Sequence, residues 1–329
     1  MKRLLFSASL ALTVLILAAA CAKTTSDSST AAYDKVLKAW VRVNYGDVAP
    51  TDSGVYVLHF LQGNGKAVGD SSYVCAHYVR KDLSGNIKST NYIDLCKQLG
   101  TFSEADYYGS DIWRMGCNSI VPGLEQILAT MRVGGKATVA IPVSQSKVTN
   151  AGYNAFSSSE SDNVIYEVEI DDVIDDIYEV QERQLKEFSA KYYGAMDTIA
   201  EGFYFKRISE TPDCDSIADE ASIKVWYIGR RLDGTVFDTN IQDTAKRYRI
   251  YSTSGSYEAM EVTYYSDLAS FISNSSNIQG FTRALSMMKY GDKADTFFNS
   301  NYGYGDSGSN TKIGEYSPLF FSLYIEPKE

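Results

Sequence analysis

Two stretches decide the fold: VPGLEQILATMRVGGKA at residues 121–137 and IQGFTRALSMMKYGDKA at residues 278–294. The second reproduces the first at a constant offset. Apolar side chains recur at steps of three and four in both. They are Val121, Leu124, Leu128 and Met131 in one, Ile278, Phe281, Leu285 and Met288 in the other. That spacing puts them on one face of a short amphipathic helix. Gly134 and Gly291 follow each run, where a glycine suits a left-handed helix cap. Strand-like segments come next, at 137–141 and 294–298.

Working outward, the repeat continues. Residues 53–57 (SGVYV) match 201–205 (EGFYF), and 74–78 (VCAHY) match 223–227 (IKVWY). Each half ends in a period-two strand, through Tyr166, Val168 and Ile170 or through Phe321, Leu323 and Ile325. A helical stretch leads each half, at 33–43 and 180–193. Runs of strands with one segregated helix indicate an α+β domain, a bent antiparallel sheet wrapped around a single short helix. The duplication predicts two in tandem.

The N-terminus reads as an export signal. Lys2 and Arg3 precede an apolar run from Leu4 to Leu17, and Ala18, Ala19 and Ala20 lead to Cys21. The run is short for a membrane span and ends in a cleavage-site composition. Residues 17–21 (LAAAC) resemble the bacterial lipobox, which implies signal peptide 1–20 and a lipid-modified Cys21. Residues 21–32, rich in Ser, Thr and Ala, are expected to form a flexible tether reaching roughly 35–40 Å when fully extended. The net charge of −10 over 329 residues argues against nucleic-acid binding and against attraction to anionic lipid. Membrane attachment is therefore expected through the Cys21 lipid.

Cys75, Cys96, Cys117 and Cys214 have no CxxC spacing, so no redox or zinc motif is expected. An exported chain permits disulfides. One bridge among the first three, with Cys96–Cys117 foremost, and buried free thiols are both open. His59 and His77, the only histidines, fall in strand-like runs and read as packed residues rather than metal ligands. No cofactor is expected.

The second half resembles an FKBP-type peptidyl-prolyl isomerase domain. The resemblance rests on 225–229 (VWYIG), 232–239 (LDGTVFDT), 278–281 (IQGF), 288–294 (MKYGDKA), 302–305 (YGYG) and 319–321 (LFF), in family order. It implies two tandem FKBP-like domains, a degenerate one at 33–176 and a better-preserved one at 200–329, joined by a linker helix at 177–199. Carried over by position, it implies a pocket of Tyr227, Phe237, Asp238, Ile278, Phe281, Tyr304 and Phe321. Phe281 stands where the family usually has tryptophan. An insertion at roughly 253–276 precedes the pocket helix, and Tyr251 is a further candidate wall. In the first half Tyr78 and Tyr166 match pocket aromatics. The Phe-Asp step is aligned with Ile87-Lys88, the floor is Leu124, and the Tyr-Gly turn is missing from 142–163.

What the resemblance implies is an anchored isomerase acting on proline-containing exported polypeptides, with the first half a structural or binding copy. The competing class is a non-catalytic FKBP-like scaffold lipoprotein. Ala22 and Lys23 after Cys21 lack the aspartate of inner-membrane retention, which points to the outer membrane facing the periplasm.

Overall fold

The computed structural model describes residues 25–117, 120–146, 162–194, 196, 198–209 and 216–328. The signal stretch 1–20, Cys21 and Cys214 lie outside them. The first half runs α1 (Thr25–Tyr45), β1 (Tyr56–Leu61), β2 (Tyr73–Lys81), β3 (Ile87–Thr90), α2 (Ile93–Leu99), β4 (Asp111–Arg114), α3 (Pro122–Leu128), β5 (Lys136–Ile141) and β6 (Val164–Ile174). The second half repeats that order: α4 (Ile177–Tyr193), β7 (Phe203–Ser209), β8 (Ser222–Arg231), β9 (Val236–Thr239), α5 (Gln242–Arg247) and β10 (Met260–Thr263). It inserts α6 (Leu268–Asn274) and then resumes with α7 (Gln279–Leu285), β11 (Lys293–Phe298) and β12 (Leu319–Ile325).

Both sheets are antiparallel and share one topology. The first is ordered β1-β5-β6-β2-β3 with β4 also on β2; the second is β7-β11-β12-β8-β10 with β9 also on β8. The ladders match residue for residue. Val168 lies between Ala137 and Tyr78, as Leu323 lies between Ala294 and Tyr227.

The inner face of each sheet carries the short helix that the repeat predicted. Leu124 and Leu128 of α3 pack beneath Val139, Tyr166 and Val168; Phe281 and Leu285 of α7 pack beneath Phe298, Phe321 and Leu323. Both helices end earlier than expected, with Ala129 and Ser286 as right-handed caps. Gly134 (φ 78°) and Gly291 (φ 79°) therefore do not cap them. They turn the chain into β5 and β11, and their N–H groups donate to the carbonyls of Ile170 within β6 and Ile325 at the end of β12.

The outer faces are covered by the leading helices. Leu37 and Val41 of α1 pack on Tyr56, Ala140 and Ile165. Leu185 and Phe188 of α4 pack on the corresponding Tyr204, Phe297 and Phe320. So α4 is a layer of the second domain, tied to it by paired hydrogen bonds between Gln181 and Ser300 (2.7 and 3.1 Å). α1 reaches back to Thr25, which places much of the expected tether in helix.

Cys75 and Cys96 are free thiols, so the Cys96–Cys117 bridge does not form. Cys96 turns inward on α2, and burial with the charge of Asp172 pushes the Cys75 thiol up to about 12, an inert state. No helix among the described residues is long and apolar enough to cross a membrane.

The two domains meet along one seam. The loop joining β11 to β12 leans on the first domain. Tyr316 enters a cluster of Tyr73, Ile112, Ile174 and Ile177, with its ring 5.1 Å from that of Tyr73. Arg231 donates to the carbonyls of Ala105 (3.1 Å), Asp106 (3.1 Å) and Lys312 (2.6 Å). Glu315 accepts from the Ile112 N–H (3.4 Å). Asp111 and Glu315 line one cavity of about 480 Å³ between the domains. Burial raises both carboxyls, and the charge of Glu315 raises Asp111 further.

A carboxyl raised on folding stabilises the fold while protonated, and that contribution is lost as pH rises through the raised value. The parent chain should therefore lose melting temperature as pH rises above the ordinary carboxylate range of about 4. Glu315→Gln should flatten that decline, which thermal unfolding across a pH series would measure.

Candidate functional site

Strand β8 presents Tyr227 and, two residues on, Gly229. A Cβ on Gly229 would stand 2.8 Å from Cζ of Phe237 and 2.9 Å from Cε1 of Phe321. The missing side chain is what lets these rings converge. Phe237 and Phe321 meet edge to face at 5.8 Å, Phe281 and Phe321 at 5.4 Å, and Tyr227 and Phe281 at 5.7 Å. Edge-to-face contact sets the positive rim of one ring on the negative face of the next. Phe237, Phe281 and Phe321 are 3%, 4% and 4% exposed, while Tyr304 on the β11–β12 loop is 36% exposed. Ile278, at the start of α7, packs on the same cluster.

Asp238 forms the polar rim. It accepts a 2.8 Å hydrogen bond from the Tyr227 hydroxyl. Burial, then the Asp238 charge, pushes the Tyr227 hydroxyl well above its ordinary range. The same two causes raise Tyr304. Both phenols therefore stay protonated, and remain donors, through neutral pH. β8, β9, α7, β12 and the β11–β12 loop together bring the seven residues singled out in the sequence to one end of the sheet. Tyr251 is not among them; it stacks on Tyr257 at 5.1 Å in an exposed turn.

Two residues of the site escape a sequence reading. Phe298 lies parallel to Phe321 at 5.9 Å and backs the cluster. Its signal was the alternation of Ala294, Thr296 and Phe298 along β11. Asn240 accepts from the Tyr227 N–H (2.9 Å) and donates to the carbonyls of Val225 (2.9 Å) and Glu258 (3.0 Å). It locks β8 to the segment leaving β9, and a lone asparagine carries no signal for that.

Residues 214–326 match the family of FKBP-type peptidyl-prolyl cis-trans isomerases. The chain is also 30% identical over 127 residues to the macrophage infectivity potentiator of Trypanosoma cruzi, covering 39% of this chain and 53% of that protein. It thus spans about half the length of the curated relative it matches. Among solved structures, it is similar to the three FKBP domains of wheat FKBP73, with 15% identity and a TM-score of 0.30 over 84% of this chain and 95% of that one. It is also similar to a peptidyl-prolyl cis-trans isomerase of Pseudomonas syringae, with 23% identity and a TM-score of 0.32 over 45% and 92%.

Comparison of the FKBP-type domain with its first-half copy corrects the sequence alignment. Val79 pairs with Thr90 as Ile228 pairs with Thr239. Thr90 donates to the Tyr78 carbonyl as Thr239 does to Tyr227, and Gly85 (φ 86°) sits where Gly234 (φ 90°) does. The Phe237-Asp238 step therefore corresponds to Lys88-Ser89, not to Ile87-Lys88. A one-residue slip moves every side chain to the other face of a strand. In the first domain Ser89, a hydroxyl, takes the carboxylate's place beside Tyr78. Lys88 replaces the phenylalanine and pairs with Asp82 at 3.0 Å. Trp113, on β4, packs 5.7 Å from Tyr78 and fills the interior where β10 carries only Val262.

Gly229→Ala should destabilise the chain by about 1–3 kcal/mol through overpacking against Phe237 and Phe321. The corresponding Arg80 already carries a side chain, so Arg80→Ala should not share that steric penalty. Urea denaturation of the variants would measure both.

Proposed function

We propose that the second domain is a peptidyl-prolyl cis-trans isomerase acting on proline-containing exported polypeptides, with the first domain a non-catalytic copy. The observation that carries this is the convergence of Tyr227, Phe237, Asp238, Ile278, Phe281 and Phe321 around Gly229 inside the family-matched region.

Rotation about an X-Pro bond faces a barrier of about 18–20 kcal/mol from amide resonance. The isomers themselves differ by only about 0.5–1 kcal/mol. The reaction needs no nucleophile. The twisted transition state carries less charge separation than the planar amide, so a dry apolar surface favours it. The rings of Phe237, Phe281 and Phe321 provide that surface for the proline. The Tyr304 hydroxyl, protonated and half-exposed, is placed to donate to a substrate carbonyl. Asp238 orients Tyr227 by accepting the hydrogen bond of its hydroxyl. Lys88, Ser89, Leu124 and Trp113 remove the equivalent surface from the first domain.

A non-catalytic binding role is the second reading. It is favoured by the near-complete burial of Phe237, Phe281 and Phe321, which leaves little of the ring surface open. Turnover of a proline tetrapeptide by the chain beginning at Lys23 separates the two. The isomerase reading expects kcat/KM to fall at least about tenfold in Phe237→Ala, a loss of about 1.4 kcal/mol of transition-state stabilisation. Asp238→Ala should fall less. Parent rates equal to the buffer rate would leave only the binding role.

The same proposal places the protein in the cell envelope, lipid-anchored at Cys21, on the outer membrane facing the periplasm. LAAAC at 17–21 supports it. A single acyl chain gives marginal attachment and two give stable attachment. Cys21→Ser should move the chain from the membrane pellet to the soluble fraction of lysed cells. Unchanged partition would remove the anchor.

A further inference from the structure

Tyr304, the exposed donor at the candidate site, stands in the long β11–β12 loop, residues 299–318. The loop is rich in Gly, Ser and Asn, so its composition buries too little apolar surface to order it alone. Two attachments hold the part that carries Tyr304. The first comes from the second domain itself. Ser300 is bonded to Gln181 of α4 at 2.7 and 3.1 Å. The Ser300 carbonyl then accepts from the N–H groups of Gly303 (2.9 Å) and Gly305 (2.8 Å), one on each side of Tyr304.

The second attachment passes through Tyr316. Its N–H donates to the Gly305 carbonyl at 2.9 Å, one residue from Tyr304. Its ring turns to the first domain. It is 4% exposed, meets Tyr73 edge to face at 5.1 Å, and packs with Ile112 and Ile174 of that domain and with Ile177 at the start of α4. The stretch between Gly305 and Tyr316 is fastened to the same domain. The Thr311 carbonyl accepts from the Tyr107 N–H (2.7 Å), the Thr311 hydroxyl donates to Asp106 (2.8 Å), and Glu315 accepts from the Ile112 N–H (3.4 Å).

Tyr316 has φ 53°, in the left-handed region. A bulky side chain is an outlier there and persists only where its surroundings over-determine it. Two contacts do so here, the socket around the ring and the Gly305 carbonyl on the N–H. A glycine would take the same backbone turn without strain, but it would leave the socket empty. The strained tyrosine is therefore what joins the first domain to the rim of the site.

We propose that Tyr316 is a positioning residue for the isomerase reaction. Seated in the first domain, it fixes Gly305 and through it the place of the Tyr304 hydroxyl beside the proline cluster. The first domain thus contributes to turnover as the socket for Tyr316, although its own pocket is filled. This role rests on the isomerase reading and names what holds the exposed donor of that site.

The test is a double-mutant cycle on the full chain from Lys23, read as kcat/KM for a proline tetrapeptide. Tyr316→Gly keeps the left-handed backbone and the N–H and removes only the ring. It should lower kcat/KM about fivefold, the worth of one hydrogen bond to the substrate carbonyl. In a Tyr304→Phe background, where that donor is already gone, the same change should lower it less than twofold. A general loss of folded protein would lower both backgrounds equally. Equal losses in the two backgrounds, or no loss in either, overturn the role of Tyr316 and leave the isomerase reading standing. If Tyr316→Gly does not fold, Tyr73→Leu decides on the same criteria, because it reshapes the socket from the first domain and leaves the loop untouched. If the parent does not turn over the tetrapeptide, the isomerase reading falls. The same cycle is then read as the affinity for a fluorescently labelled proline peptide. Weaker binding in Tyr316→Gly that disappears in the Tyr304→Phe background supports the positioning role, and any other pattern overturns it.

Discussion

The close approach of one short helix to the inner face of each sheet governs the rest of the molecule. A Cβ on Gly123 would fall 2.6 Å from the side chain of Ile141, and one on Gly280 would fall 2.5 Å from the ring of Phe298. Only glycine allows the helix to sit that low. With the helix seated, Leu124 or Phe281 points into the centre of the sheet, and everything around it must fit the remaining volume. Interiors pack to crystal-like density, so a change in one member is answered by its neighbours. The first domain answers Leu124 with Trp113, and the second answers Phe281 with a ring of phenylalanines around Gly229.

That difference divides the labour between two copies of one fold. Trp113 turns the first interior into a filled core and leaves its outer edge for contact with the second domain. The second domain keeps Asp238 and Tyr304 exposed and Tyr227 half-buried at the rim of its aromatic cluster. Its β11–β12 loop serves both sides of the seam, with Tyr304 at the pocket rim and Tyr316 in the cluster of Tyr73 and Ile177. The first domain thereby supports the far end of a loop whose near end borders the candidate site.

Much of this was legible in the sequence, for reasons that particular residues make plain. The steps of three and four in 121–131 and 278–288 identified both inner helices. The period-two pattern at Tyr166 and Phe321 identified both last strands. The candidate pocket residues were implied by the resemblance of short segments to the FKBP-type family, and all but Tyr304, on the β11–β12 loop, lie on or beside regular elements. The one misplacement, Ile87-Lys88 for Lys88-Ser89, came at a hairpin. There the count of turn residues decides the register, and the ladder contains a bulge between Arg80 and Lys81. The glycines after the inner helices were recognised as left-handed but assigned to a cap. Their partners, Ile170 and Ile325, lie more than thirty residues further along, beyond any local signal.

Local periodicity and the repeat thus determined by themselves the α+β class and the duplication, because each depends on residues close together in the chain, while the aromatic cluster was implied by the resemblance to the FKBP-type family. Tertiary structure alone decided how the two interiors differ, because that turns on Trp113 and Val262 at matching positions of β4 and β10 meeting side chains from other strands. It also decided what covers each outer face, and that the β11–β12 loop spans the seam. Those are contacts between residues distant in sequence, and no spacing along the chain encodes them.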